Sequence, residues 1–178
     1  MEYQVLQAEM INRELFAHFT RHQLVSQCWR KVGDQWCIKD IAFTDDWDEE
    51  NYRTLIACLQ STLAGGGVVF GAFEDGFLKG FSSVEANLFG KNKEYLDLTS
   101  LHVSEDMRAK GIGKELFRLS KEWAMEHGAK KLYISAHSSV ETQAFYRAMG
   151  CVEAVEYNES HVAAEPCDWG GDEKVDTS

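Results

Sequence analysis

The sequence predicts one α/β (α+β) domain: a mixed central sheet with helices on both faces. Three observations predict it. Strand-like and helix-like periods alternate through the second half of the chain. Two apolar runs flank Asp75-Gly76, a strong hairpin signal. The 178 residues, 44% hydrophobic and 12% aromatic, suit a single domain with one packed core.

The elements follow in order. Val5-Leu6 opens a short first strand. From Asn12 to Val32 the apolar residues Leu15, Phe16, Phe19, Val25, Cys28, Trp29 and Val32 have helical spacing, in one bent helix or two. Trp36, Ile38 and Ile41 read as an irregular or extended connection. Asp48 or a neighbouring Asp caps a helix whose stripe is Tyr52, Leu55, Ile56, Leu59 and Leu63, stopped by Gly65-Gly66-Gly67. Strands follow at 68–73, 77–85 and 95–103, with a polar loop at 87–93. Residues 111–127 form a helix with Ile112, Leu116, Leu119 and Trp123 on one face. A strand at 131–136 comes next. Ser138 and Glu141 make a capping box for a helix ending at Gly150, and residues 151–157 return as a strand. The domain is expected to span 1–169, with 170–178 a frayed polar tail.

Charge and cysteine use narrow the function. With 29 acidic and 18 basic side chains the formal charge is −11, which argues against nucleic-acid binding and suits cationic partners. No apolar run is long enough to span a bilayer, and the first residues lack the pattern of a signal peptide. Cys28, Cys37, Cys58, Cys151 and Cys167 are odd in number and widely spaced, so reduced thiols, a cytoplasmic location and no metal site are expected.

One motif carries chemistry. Arg108-Ala109-Lys110-Gly111-Ile112-Gly113 stands between a strand and a helix start. The first N–H groups of a helix have no intrahelical partner, and the helix dipole favours an anion there. Gly111 and Gly113 leave room for a phosphate to approach the backbone, and Arg108, Lys110 and Lys114 add positive charge. The segment reads as a pyrophosphate cradle. It lacks the G-K-[ST] of a Walker loop, and Leu116 stands where a dinucleotide fold has its third glycine.

Arg108-x-x-Gly111-x-Gly113 resembles the acetyl-coenzyme A signature of the GNAT family of N-acetyltransferases. The run Ala144-Phe145-Tyr146-Arg147-Ala148-Met149-Gly150 is similar to that family's second landmark. The resemblance covers residues 70–155. It implies the GNAT fold, whose fourth and fifth strands splay apart around the pantetheine. Those strands are 95–103 and 131–136 here. Leu101, His102 and Val103 would line the cofactor, with the backbone of Leu101 and Val103 pairing to it as a strand. Thr142, Phe145 and Tyr146 would face it from the landmark helix. The implied co-substrate is acetyl-coenzyme A, without a metal.

The resemblance maps Tyr146 onto the general acid facing the coenzyme A sulfur and the Val103 N–H onto an oxyanion donor. A phenol is protonated at neutral pH. The base stays open between Asp97, Glu85, His102 and a water relay. Strand alternation puts Asp97, Thr99, Leu101 and Val103 on one face and Leu98, Ser100 and His102 on the other. The N-terminal third builds the acceptor site in this reading. Trp29, Trp36 and the run Asp45-Asp46-Trp47-Asp48-Glu49-Glu50 either bind a cationic amine or serve the core and a helix start. The acceptor is expected to be a small, cationic primary amine. A non-catalytic acetyl-coenzyme A module, a protein N-terminal or lysine acetyltransferase, and a homodimer stay open.

Overall fold

A computed structural model of the chain describes residues 1–136, 139–154, 156–158 and 169–174. The elements are β1 (Glu2–Val5), β2 (His22–Val32), β3 (Gln35–Asp46), α1 (Glu49–Ala64), β4 (Val68–Glu74), β5 (Phe77–Val84), β6 (Tyr95–Val103), α2 (Ile112–Glu126), β7 (Lys131–Ala136), α3 (Val140–Ala148), β8 (Val152–Glu153) and β9 (Trp169–Lys174). The main sheet runs β1-β4-β5-β6-β7-β9-β8, and β2 and β3 form a separate ribbon. All neighbouring strands are antiparallel except β6 and β7.

The sheet is covered on both faces, which is why β4 is buried almost throughout. Val68, Phe70 and Ala72 pack with Ile112, Leu116 and Phe117 of α2 and Tyr146 of α3. Val69 and Phe73 pack on the other side with Tyr52 and Leu59 of α1 and with Leu6, Ile11, Phe16 and Phe19 of the N-terminal segment. Gly80 of β5 lets α2 sit close: a Cβ there would lie 2.8 Å from Ile112 Cγ2 and 3.1 Å from Leu116 Cδ1.

Three expectations are corrected. The helix expected from Asn12 to Val32 is one 3-10 turn, Glu14–Phe16, followed by the long strand β2; a second 3-10 turn, Ala8–Met10, precedes it. Trp36 to Ile41 lies inside its partner β3. Only Val25 and Cys28 of β2 are buried, so the apolar spacing marks points where a ribbon touches the body, not a helix stripe. Gly33-Asp34 is a two-residue hairpin connection, with Val32 opposite Gln35 and Gly33 at φ 63°. Of the tail expected to fray from Gly170, residues 170–174 enter the sheet instead, and 175–178 lie outside the described residues. Trp169–Lys174 pairs with β7 along Lys131–Ala136, and backbone hydrogen bonding holds it despite its polar sequence. The strand expected at 151–157 also proves short, at Val152–Glu153.

The helix caps are local in origin. Asp48 accepts from Asn51 N at 2.8 Å, and the Asn51 side chain returns a bond to Asp48 N at 2.9 Å. Ser138, the expected cap of α3, lies outside the described residues; Ser139 caps the helix through Thr142 N at 3.2 Å.

Candidate active site

Strands β6 and β7 pair only from Tyr95 to Leu98 against Lys131 to Ile134. Beyond that point β6 stays with β5, Val103 opposite Gly80, while β7 stays with β9 through Ala136. The two strands therefore part, and a cleft of about 800 Å³ opens there. That volume is typical of a small-molecule site.

A β-bulge determines what the cleft sees. Ser83 is opposite Ser100 and Val84 is opposite Leu98, so Thr99 is the extra residue of β6. One extra residue reverses the alternation of everything after it. Leu96 and Leu98 pack on the α2 side, and so do Leu101 and Val103. The face assignment expected from unbroken alternation is corrected accordingly. The main chain reverses with the side chains. Asp97 O accepts from Glu85 N at 2.9 Å, but past the bulge it is Ser104 N that reaches back toward β5, donating to Lys79 O at 2.8 Å. By alternation, the main-chain groups of Leu101 and Val103 then turn toward the gap. Without the bulge they would turn into β5.

The mouth of the cleft is the start of α2. Gly111 is its N-cap at φ 83°, a left-handed conformation natural to glycine, and Ala109 is also left-handed at φ 61°. The first helical bond runs from Glu115 N to Gly111 O at 3.1 Å. The N–H groups of Ile112, Gly113 and Lys114 precede it and have no intrahelical acceptor. Space in front of Gly111 is open, whereas a Cβ on Gly113 would lie 3.2 Å from the Phe145 ring. These features fit a pyrophosphate group. Arg108, Ala109, Gly111, Ile112, Gly113 and Lys114 line the cleft, while Lys110 does not and extends its Nζ to Met107 Sδ at 3.4 Å. Arg108 is anchored to the ribbon through His22 O at 2.7 Å.

The far wall is α3. Glu141, Thr142, Phe145 and Tyr146 line it, with Ser135 and Ala136 from β7. Tyr146 is buried, with the Phe145 and Phe117 rings 5.1 and 6.2 Å away. Burial first, and then the nearby Cys151, raises its phenol above the usual range, so the hydroxyl keeps its proton.

Two of the three candidate bases, Asp97 and Glu85, are not in the cleft lining. Asp97 lies where β6 is still paired to β7, opposite Tyr133. Glu85 is on the α1 side, accepting from the Thr62 hydroxyl. His102 does line the cleft, with Trp47 at 4.8 Å and Phe81 at 5.4 Å. Burial, then the charges of Arg21 and Arg108, push its imidazole down to about 3. It is neutral at working pH and a weak proton acceptor.

That shift carries a prediction for stability. Between its folded value of about 3 and its unfolded value of 6.5, His102 is protonated only in the unfolded chain. Its contribution to stability therefore falls as pH drops through that window and is nil above it. Urea unfolding at a series of pH values is expected to show a shallower acid loss in His102→Gln than in the parent. Parallel slopes would place a normal imidazole at this position.

The end nearest the ribbon contains Asp45 and Trp47, which the sequence reading offered for the acceptor site, together with Arg21, Gln23 and Leu24 of the β2 strand and its approach, which it did not assemble. Trp29 and Trp36 lie elsewhere. Arg147 sits over the Trp29 ring at 5.1 Å, and Trp36 Nε1 donates to Glu153 at 3.3 Å. The acidic run is mostly committed within the protein. Asp45 pairs with Arg21, Asp46 with His22 and Glu49 with Arg13, while Asp48 caps α1. Cys28, Cys37, Cys58 and Cys151 form no disulfide among the described residues, and Cys167 lies outside them. Among the described residues, no group of three or more His, Cys, Asp or Glu side chains is placed to hold a metal. No described helix is long and apolar enough to cross a membrane.

A sheet parted between two parallel strands, with a glycine-opened helix at the mouth of the gap, makes a cleft suited to an extended ligand with an anionic end. The sequence pattern of the acetyltransferase (GNAT) family matches residues 22–151. The chain belongs to that family. Among solved structures it is similar to a nourseothricin acetyltransferase, with a TM-score of 0.71, 16% identity and 98% of both chains covered. A putative streptothricin acetyltransferase from Bacillus anthracis str. Ames, in complex with acetyl coenzyme A, gives 0.69 and 13%, covering 96% of this chain and 94% of that one. A PaiA N-acetyltransferase from Thermoplasma acidophilum, in complex with coenzyme A, gives 0.59 and 14%, covering 98% and 99%. At these identities the likeness is one of fold. No curated protein matches the chain in sequence.

Proposed function

We propose that this acetyltransferase uses acetyl-coenzyme A to acetylate the primary amine of a small molecule. The single observation that carries the reading is the continuous cleft from the α2 cradle, past the turned backbone of Leu101 and Val103, to Tyr146 and the ribbon. Similar folds hold acetyl coenzyme A or coenzyme A, and others are named for action on small molecules, which supports the reading. Acetyl-coenzyme A would supply a thioester carbonyl and a thiolate leaving group.

The chain's own residues then have distinct tasks. The N–H groups of Ile112, Gly113 and Lys114, with Arg108, bind the pyrophosphate. The main chain of Leu101 and Val103 aligns the pantetheine as an added strand. The Val103 N–H is the candidate donor to the carbonyl oxygen. Tyr146 keeps a proton to offer the departing sulfur. Trp47, Phe81 and His102 form an aromatic wall beside the acceptor end. With Asp97 and Glu85 outside the lining, the amine loses its proton to water rather than to either carboxylate. The expected preference for a cationic acceptor keeps only its long-range support, the net charge of −11, because the acids at 45–49 have partners.

The test is release of free thiol from acetyl-coenzyme A in the presence of a mixed panel of amines. Amine-dependent release is expected. Tight coenzyme A binding with no amine-dependent release would instead identify a binding module.

A further inference from the structure

The acceptor end of the cleft has an unusual arginine. Arg21 lines the cleft, yet its side chain is only 11% exposed. Nη1 donates to Gln23 Oε1 at 3.1 Å and Nη2 to Asp45 Oδ2 at 3.0 Å, and the guanidinium lies 5.6 Å from the Trp47 ring centroid. Nε is buried and has no hydrogen-bond partner among the described residues. A guanidinium has five N–H donors in a planar fork, and the protein engages two of them here. A buried donor left without an acceptor is costly, and such a group calls for an explanation.

The surroundings offer hydrogen-bond donors to a ligand. The cleft-lining charges are Arg21, Arg108 and Lys114 against Asp45 and Glu141, and Asp45 is already bound to Arg21. The Gln23 oxygen is committed to Arg21, so its amide can offer only N–H groups outward. Arg108 and Lys114 stand at the cradle, so the acceptor end itself holds the Arg21–Asp45 pair, whose guanidinium keeps unengaged Nη N–H groups for a ligand. Burial first, and then the charges of Arg21 and Arg108, keep the neighbouring His102 neutral.

We infer that the acceptor carries a carboxylate as well as its amine, and that Arg21 is the residue that recognises the carboxylate. This rests on the amine-acetylation reading above and names its substrate class. Net negative charge steers cations toward the protein, but a desolvated guanidinium decides what is held. The acceptor is then an amino acid or a similar zwitterionic amine.

The experiment uses coenzyme A-loaded protein and matched triplets: an α-, γ- or ε-amino acid, its carboxamide and its parent alkylamine. Calorimetry is expected to give the carboxylate member of at least one triplet an affinity about 10- to 100-fold above the other two. Arg21→Lys, which keeps the charge beside Asp45 but loses the fork, and Arg21→Gln should each collapse that ratio toward one. Coenzyme A affinity reports that the variants are folded. A ratio of one in the parent, or a ratio unchanged in both variants, overturns the assignment. Thiol release with the same triplets separates the two readings. Carboxylate preference in binding without acetylated product keeps the role of Arg21 and removes amine acetylation. Acetylation without carboxylate preference does the reverse.

Discussion

Tyr146→Phe is expected to bind coenzyme A as the parent does and to lower the chemical step about 100- to 10,000-fold. The ring contacts with Phe145 and Phe117 survive the substitution, so the cleft wall keeps its shape. Only the hydroxyl is lost. Burial holds that hydroxyl in its protonated form well beyond neutral pH, so the loss is uniform across the working range and adds no new limb to the pH profile. Single-turnover mixing with acetyl-coenzyme A and a competent amine isolates the step from product release. An unchanged single-turnover rate would leave Tyr146 as a packing residue.

Gly111→Val is expected to weaken coenzyme A on the order of 100-fold while the protein stays folded. Two causes act together. Valine is strained at φ 83°, so the start of α2 must rearrange and the N–H groups of Ile112, Gly113 and Lys114 lose their common aim. The added side chain also enters the open space in front of the cradle, where no protein atom lies within 4 Å of a Cβ. Because that space holds no core atoms, the change costs little packing, and the thermal midpoint falls by only a few degrees. Calorimetric titration of the folded variant checks this. Equal affinity in variant and parent would move the pyrophosphate away from residues 108–113.

What could be read from the sequence was local. The cradle is a strand end, two glycines and basic neighbours within a few residues, and each acts where it stands. The hairpin at Asp75-Gly76 and the α2 stripe are legible for the same reason. The ribbon was not, because Val25, Cys28, Trp29 and Val32 carry a helix-like spacing that arises from separate tertiary contacts. Its one local signal, Gly33-Asp34, is a hairpin turn easily overruled by a longer apolar pattern. The Thr99 bulge leaves no comparable mark in the sequence, yet it decides which groups of β6 face the gap. Asp97 stood as a candidate base by resemblance, and nothing local in the sequence says where the two parallel strands part. Arg21 and Asp45 are 24 residues apart and meet only because β2 and β3 fold back on each other.

The central claim is that this cleft moves an acetyl group from coenzyme A to an amine. The most direct measurement is the product itself, by mass spectrometry of an amine incubated with the protein and acetyl-coenzyme A, with free thiol counted in the same sample. The predicted result is one acetylated amine per thiol released, and a yield that falls in both Tyr146→Phe and Gly111→Val. Thiol release without acetylated amine, or acetylation undiminished in both variants, would contradict it.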